Sequence, residues 1–186
     1  ADTFDNSGTI TIDYANYSGI DMASGDDTLT NSGTITITSA GCFGIFGGWD
    51  DGDDTLTNSG TITIGYAGCV GIYTYGGNDT LTNSGTITVN SAYYHAIAMH
   101  SGDDTFINTG TVDIGDVGYS GIAMAIGADT FDNSGTITID SAGYCGIDMA
   151  SGDDTLTNSG TITIGYAGYV GIDTYEGNDT LTNSGT

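Results

Sequence analysis

The amino-acid sequence predicts an all-β protein, a parallel β-solenoid (β-helix) of about seven coils, with about 25 residues and three short strands in each coil. Three observations support this prediction: a motif that recurs at a nearly constant interval, an apolar and polar alternation with a period of two, and the absence of proline from a chain with 32 glycines. The motif is Asn-Ser-Gly-Thr, varied once to Asn-Thr-Gly-Thr, and it starts at Asn6, Asn31, Asn58, Asn83, Asn108, Asn133, Asn158 and Asn183.

The repeats organise the whole chain. Neighbouring motifs are 25 residues apart except for one interval of 27, so one repeat carries two additional residues, in the stretch Trp49-Asp50-Asp51-Gly52. One such repeat does not bury its apolar face alone and needs the next copy stacked on it. We therefore predict a single repetitive domain over residues 1–186, with repeats that begin near positions 1, 26, 53, 78, 103, 128, 153 and 178.

Two strands of each repeat follow from side-chain alternation, for example between Asp27 and Ile37. Leucine, asparagine and isoleucine share one face there, and threonine and serine share the other. A third short strand is predicted at Gly19-Ile20-Asp21-Met22 and its counterparts. Stacking would place the motif asparagines in a ladder of hydrogen-bonded amides at a bend. It would also build an apolar core column from Leu29, Leu56, Leu81, Phe106, Phe131, Leu156 and Leu181.

The charge of the chain limits its partners. It has 24 acidic residues, two histidines and no lysine or arginine, so the formal net charge is −24. Without cationic side chains the chain does not neutralise phosphates, which excludes nucleic acid as a partner and disfavours anionic membrane surfaces. Because no apolar run approaches the ~18 residues of a membrane span, we also expect no membrane insertion.

Aspartates recur in two further columns. In-register stacking would hold the carboxylates of one column ~5 Å apart, and no basic side chain compensates their repulsion. Carboxylate and bend carbonyl oxygens are ligands that suit Ca²⁺, the candidate cofactor. The alternative is that each aspartate accepts hydrogen bonds from bend amides and stays solvated. The candidate metal ligands are Asp26, Asp27, Asp53, Asp54, Asp79, Asp103, Asp104, Asp129, Asp153, Asp154 and Asp179.

The string Gly-Asn-Asp-Thr-Leu-Thr-Asn-Ser-Gly-Thr-Ile at positions 77–87 resembles the repeats of bacterial autotransporter passenger regions and related large surface adhesins. This resemblance implies a right-handed solenoid that is extracellular or at the cell surface, acting as a structural or adhesive element of a surface fibre or filament. A second likeness is to the calcium-binding repeat of RTX toxins. It covers only a Gly-x-Asp-x-Leu half, as at Gly25 to Leu29, and the leading Gly-Gly-x of that repeat is missing.

One column combines tyrosines with cysteines and points to further contacts. If exposed, its rings would suit a glycan or another surface ligand. Cys42 and Cys69 lie one coil apart in it, within the Cα separation of a disulfide, so bridged and unbridged states both stay open, whereas Cys145 has no partner. The column is Tyr17, Cys42, Cys69, Tyr94, Tyr119, Tyr144 and Tyr169. Since neither end carries an atypical capping repeat, we expect either end-to-end self-association or continuation in a longer chain.

Two other function classes remain as alternatives. The first is an ice-binding protein that uses outward Thr-x-Thr arrays such as Thr34/Thr36, although threonine is also simply a good residue for an exposed strand. The second is a carbohydrate-active β-helix enzyme. We predict no enzyme, because an active site should break the repeat locally and the breaks offer no clear acid and base pair. They are Trp49-Asp50-Asp51, Asp113 with Asp116, Tyr93-Tyr94-His95 and Glu176.

Overall fold

Three parallel β-sheets run along the molecule in a computed structural model that describes residues 1–186. The first sheet has eight strands: Thr3–Asn6, Thr28–Asn31, Thr55–Asn58, Thr80–Asn83, Thr105–Asn108, Thr130–Asn133, Thr155–Asn158 and Thr180–Asn183. The second has seven: Thr9–Ile12, Thr34–Ile37, Thr61–Ile64, Thr86–Ala92, Thr111–Val117, Thr136–Ala142 and Thr161–Ala167. The third also has seven: Ser18–Asp21, Phe43–Phe46, Val70–Tyr73, Ile97–Ala98, Ile122–Ala123, Cys145–Asp148 and Val170–Asp173.

Each strand pairs in parallel with its counterpart in the next coil, which confirms the predicted β-solenoid and its three strands per coil. Leu29 pairs with Leu56 in the first sheet, and Ile35 pairs with Ile62 in the second. The two additional residues are accommodated between the third and first sheets, where residues 47–54 replace the shorter connections 22–27 and 74–79 of the neighbouring coils. No helix in the structure is long and apolar enough to cross a membrane.

The alternation of side chains decides which face of each strand is buried. Leu29, Ile35 and Ile37 are at most 2% exposed, while the threonines between them are partly exposed. Fully burying such an aliphatic side chain contributes about 1.5–3 kcal/mol, and the stacked coils repeat this gain. The predicted core column is buried from Leu29 to Leu156, whereas Leu181, in the last coil, is exposed.

The predicted asparagine ladder is present over the whole molecule. From Asn6 to Asn158, each Nδ2 donates a hydrogen bond to the Oδ1 of the asparagine in the next coil, at 2.7–2.8 Å. Asn31 and Asn108 are completely buried. Because a buried amide without partners is costly, the ladder favours in-register stacking over any slipped alternative.

The mixed tyrosine and cysteine column is also confirmed. Cys42 and Cys69 form a disulfide with a Cα separation of 4.5 Å, which resolves the question left open by the sequence, and Cys145 is free and buried. The ring centroids of Tyr119 and Tyr144 are 4.6 Å apart, and those of Tyr144 and Tyr169 are 5.0 Å apart, both stacked. The column therefore contains a covalent bridge at its second and third positions and stacked rings at its last three.

Candidate functional site

An inner column of aspartates lies at the bend that precedes the first sheet. Its carboxylate Oδ1 atoms accept hydrogen bonds at 2.8–3.0 Å from the backbone N–H of the aspartate one coil earlier, as in Asp79 N–H to Asp104. The Oδ2 atoms of Asp27, Asp79, Asp104, Asp129 and Asp154 are buried without a partner. These carboxylates thus accept from bend amides, as one interpretation of the sequence predicted, but they are buried rather than solvated. The column is Asp27, Asp54, Asp79, Asp104, Asp129, Asp154 and Asp179.

An outer column runs beside it with its hydrogen bonds in the opposite direction. The Asn78 N–H donates to Asp53 Oδ1 at 2.7 Å, and the Ala128 N–H donates to Asp103 Oδ1 at 2.8 Å, so the donor is here in the later coil. Two consecutive backbone N–H groups of one bend, those of Asn78 and Asp79, therefore donate to carboxylates of the preceding and the following coil, respectively. The exposed aspartates of this column are Asp26, Asp53, Asp103 and Asp153, and Asn78, Ala128 and Asn178 interrupt them.

Burial changes the acidity of the inner column. Loss of solvation raises the pKa of Asp104 to about 8, and it raises the pKa values of Asp79 and Asp129 to about 7. The same cause raises the pKa of Asp54 to about 6. Hydrogen bonds from the neighbouring coil oppose these shifts, while neighbouring carboxylates reinforce them. Near neutral pH, protonation of these four aspartates therefore stabilises the fold.

The predicted calcium ligands are brought into columns but are not gathered around one point. No group of three or more histidine, cysteine, aspartate or glutamate side chains is arranged to hold a metal ion. Ca²⁺ takes about six to eight oxygen ligands, so a bound ion would need backbone carbonyls or water as well. The calcium hypothesis stays a prediction.

A groove lies on the outer face of the third sheet, where the departures from the repeat meet. One position of this sheet is occupied in successive coils by Asp21, Phe46, Tyr73, Ala98, Ala123, Asp148 and Asp173. The groove has a volume of about 460 Å³, and Ala98 and Ala123 are among its lining residues. These two residues end the shortest strands of the sheet, Ile97–Ala98 and Ile122–Ala123.

Aromatic rings form much of the groove's surface. Trp49, supplied by the two-residue insertion, meets Phe43 edge to face at 5.7 Å between ring centroids and Phe46 at 4.8 Å. Phe43 in turn packs against Tyr73 at 5.2 Å. Trp49 is 58% exposed, so its ring is available to a ligand. The remaining aromatic lining residues are Tyr94, His95, His100 and Tyr119.

Asp148 is the one acidic residue that lines this groove. The Ser120 hydroxyl donates to Asp148 Oδ2 at 3.2 Å, and burial raises the pKa of Asp148 above its ordinary value. Burial also lowers the pKa of His95 to about 4, so this imidazole is neutral at physiological pH. The groove thus presents aromatic faces and a carboxylate, and His95 adds no positive charge to it.

Sequence reasoning did not assemble this groove. The repeat pattern marks Trp49 and Tyr93-Tyr94-His95 as departures, but at Trp49 it predicts only a loop insertion. The signal that locates the groove in the sequence is the alignment of the third strands at the repeat interval. It puts two aromatic residues, two alanines and an aspartate in one column between Phe46 and Asp148.

The in-register sheets, the asparagine ladder and the aspartate columns define the chain as a parallel β-solenoid, a repeat protein whose coils share one continuous core. Residues 2–102 match the family model described as the BigA third pectate lyase-like domain. This match covers more than half of the 186 residues, and the chain belongs to that family. Membership of this family supports the interpretation of the chain as a β-solenoid domain like those of bacterial surface adhesins.

The comparisons with curated proteins and with solved structures gave no match. The resemblances to autotransporter passengers and to RTX repeats stay predictions.

Proposed function

We propose that the chain is a rigid structural and adhesive segment of an extracellular bacterial surface protein. The observation that carries this proposal is membership of the adhesin-like family, on a solenoid whose ladders continue from coil to coil. Such a ladder resists bending because each hydrogen bond fixes one coil against the next. A stiff rod of this kind suits a role in holding a binding surface away from a cell.

The surface location is tested on cells that produce the whole protein. Antibodies raised against this chain should label intact cells as strongly as permeabilised cells. Labelling that appears only after permeabilisation would contradict the proposal. An outer-membrane or cell-wall protein of known exposure serves as the positive control, and a cytoplasmic protein serves as the negative control.

Assembly into a fibre is a separate part of the proposal. The outermost strands of the sheets, such as Thr3–Asn6 and Thr180–Asn183, have a hydrogen-bonded neighbour on one side only. An unpaired strand edge can accept another strand, either from a second copy or from more of the same chain. Electron microscopy of the purified chain over a range of concentrations should show threads that lengthen with concentration. Uniform isolated rods at every concentration would argue against self-assembly.

Calcium binding to the aspartate columns is the proposed stabilising mechanism. Support comes from the stacked carboxylates and from the unpartnered Oδ2 atoms of the inner column, as at Asp104. Thermal unfolding at about pH 8, where carboxylates are ionised most fully, is compared with added Ca²⁺ and with a chelator. A higher melting temperature in Ca²⁺ is expected, and an unchanged one would remove the mechanism.

Ice binding is a second candidate because the second sheet carries threonines in register on its outer side. Thr34 pairs with Thr61 and Thr36 pairs with Thr63, although Asp113 interrupts the array. Faceted ice crystals in a supercooled solution of the protein would support this candidate, and unshaped discs would exclude it. The prediction that the chain is not an enzyme stands untested beside both candidates.

A further inference from the structure

We propose that the groove of the third sheet binds an organic cation, an ammonium group with apolar substituents, between the aromatic rings and the Asp148 carboxylate. This inference rests on the groove alone and does not depend on a surface location or on adhesion.

Charge is the first argument. The chain has a net charge of −24 and no lysine or arginine, so no side-chain ammonium or guanidinium is available to pair with Asp148. Its side-chain partner is the neutral Ser120 hydroxyl. A carboxylate held in a partly buried groove is stabilised by an opposite charge within a few ångströms. The acidic surface also raises the local concentration of cations and repels anions, including phosphate-bearing headgroups.

The aromatic lining is the second argument. Tryptophan and tyrosine faces attract ammonium groups, most strongly where water is displaced. Tyr119 lines the groove with Asp148 and shares a neighbouring pocket with it, so its ring and that carboxylate form one end of the site. Trp49 and Tyr73, which pack on Phe43, line the other end of the same groove. The small side chains of Ala98 and Ala123 leave the space that Phe46 and Tyr73 fill in the preceding coils. The volume of about 460 Å³ lies in the range of small-molecule sites.

A neutral sugar is the competing occupant, since aromatic rings also stack on sugar rings. The hydroxyls of Tyr73, Tyr94 and Tyr119 are polar partners that a sugar could also use. The net charge of −24 attracts a cation but not a neutral sugar, and this difference favours the cation.

The molecule contains its own reporter, because Trp49 is the single tryptophan of the chain. Benzyltrimethylammonium is titrated into the intact chain at about pH 8, above the ordinary titration range of histidine, and at roughly physiological ionic strength. We expect a saturable change in Trp49 fluorescence and one-to-one binding by calorimetry. Benzyl alcohol and methyl glucoside, the neutral probes, should bind at least about tenfold more weakly.

Two substitutions separate specific binding from general attraction to an acidic surface. Asp148→Asn should weaken the cation by about tenfold, whereas Asp21→Asn should leave its affinity unchanged. Asp21 is the matched control because it holds the same position of the third sheet, outside the groove, and accepts a hydrogen bond from the backbone two residues later, as Asp148 does. Ala123→Tyr should abolish binding by filling the groove. The same position carries Tyr73 two coils earlier, so the fold is expected to accept the tyrosine.

The outcomes distinguish the alternatives. Equal affinity for benzyl alcohol would identify a plain apolar groove and overturn the proposal. Tighter binding of the glucoside would identify a sugar site and also overturn it. Equal losses for Asp148→Asn and Asp21→Asn would show only attraction to the surface charge. Melting curves of each variant check that the solenoid is intact.

Discussion

Single glycines decide how closely neighbouring coils approach. A Cβ atom added at Gly110, in the Asn-Thr-Gly-Thr motif, would lie 2.1 Å from the carbonyl oxygen of Gly85. The neighbouring atom belongs to the backbone and has no rotamer to change. The recurring glycine of the motif is therefore required by space between coils.

Replacement of Gly110 by alanine should lower the free energy of unfolding by about 2 kcal/mol, since the two coils must separate locally. Chemical denaturation measures the change. Gly8→Ala is the matched control at the same motif position, where the nearest atom to an added Cβ is Asn6 Oδ1 at 4.0 Å. Because Gly→Ala by itself lowers the entropy of the unfolded chain and favours folding, a similar loss in both variants would show that coil spacing does not govern this position.

The sequence was sufficient to predict residues that repeat and insufficient for those that do not. Asn108 and Leu81 were placed correctly because identical residues at one interval form one column whatever their rotamers. Trp49 was not placed, because the way an inserted residue folds back depends on contacts that no periodicity encodes. The burial of Asp104 was missed for a related reason, since the sequence does not show whether a bend faces water.

The inner aspartate column is an element whose stability depends on pH. In the folded state the pKa values of Asp54, Asp79, Asp104 and Asp129 are about 6 to 8, above the ordinary value of aspartate, so folding favours the protonated form of these four residues. This contribution is complete below the ordinary aspartate pKa and is lost as the pH rises through the folded values. The stability of the column should therefore fall across the neutral range.

In a chelator, the melting temperature should decrease by about 5 °C or more between about pH 5 and about pH 8, roughly 2 kcal/mol for a chain of this size. The variant Asp104→Asn, which cannot ionise, should show a smaller decrease. A melting temperature that rises over this interval would contradict protonation of the column. If the same pH series measured with Ca²⁺ in place of the chelator shows a rise in melting temperature, that rise would support calcium binding.

The disulfide is the second element that stabilises particular coils. Cys42 and Cys69 are 27 positions apart in the sequence, and a bridge over a loop of about that length stabilises a protein by about 2–4 kcal/mol. Reduction, or replacement of both cysteines by serine, should lower the melting temperature. Reductant should have no effect on the double serine variant. If reduction leaves the wild-type melting temperature unchanged, the bridge does not restrain unfolding.

Electrostatic repulsion acts on the whole molecule, because its formal charge is −24 and none of its side chains is a lysine or arginine. Raising NaCl from about 20 mM to about 500 mM shortens the Debye length and weakens this repulsion. The melting temperature should therefore increase with salt, in contrast to proteins held by surface salt bridges. Mg²⁺ and Ca²⁺ compared at equal ionic strength separate screening from a specific ion. A melting temperature independent of salt would show that the charges are already neutralised, by protons or by bound ions.

The corner that contains Trp49 shows how this architecture can vary without losing its order. Thr55 still pairs with Thr28, and Tyr73 still pairs with Phe46, although the chain between the coils is longer there by two residues. The two additional residues extend outward from the corner, and the strand pairing between the adjacent coils keeps its register. Further residues inserted beside Trp49 would therefore extend one flank of the rod while the register of the sheets stays constant.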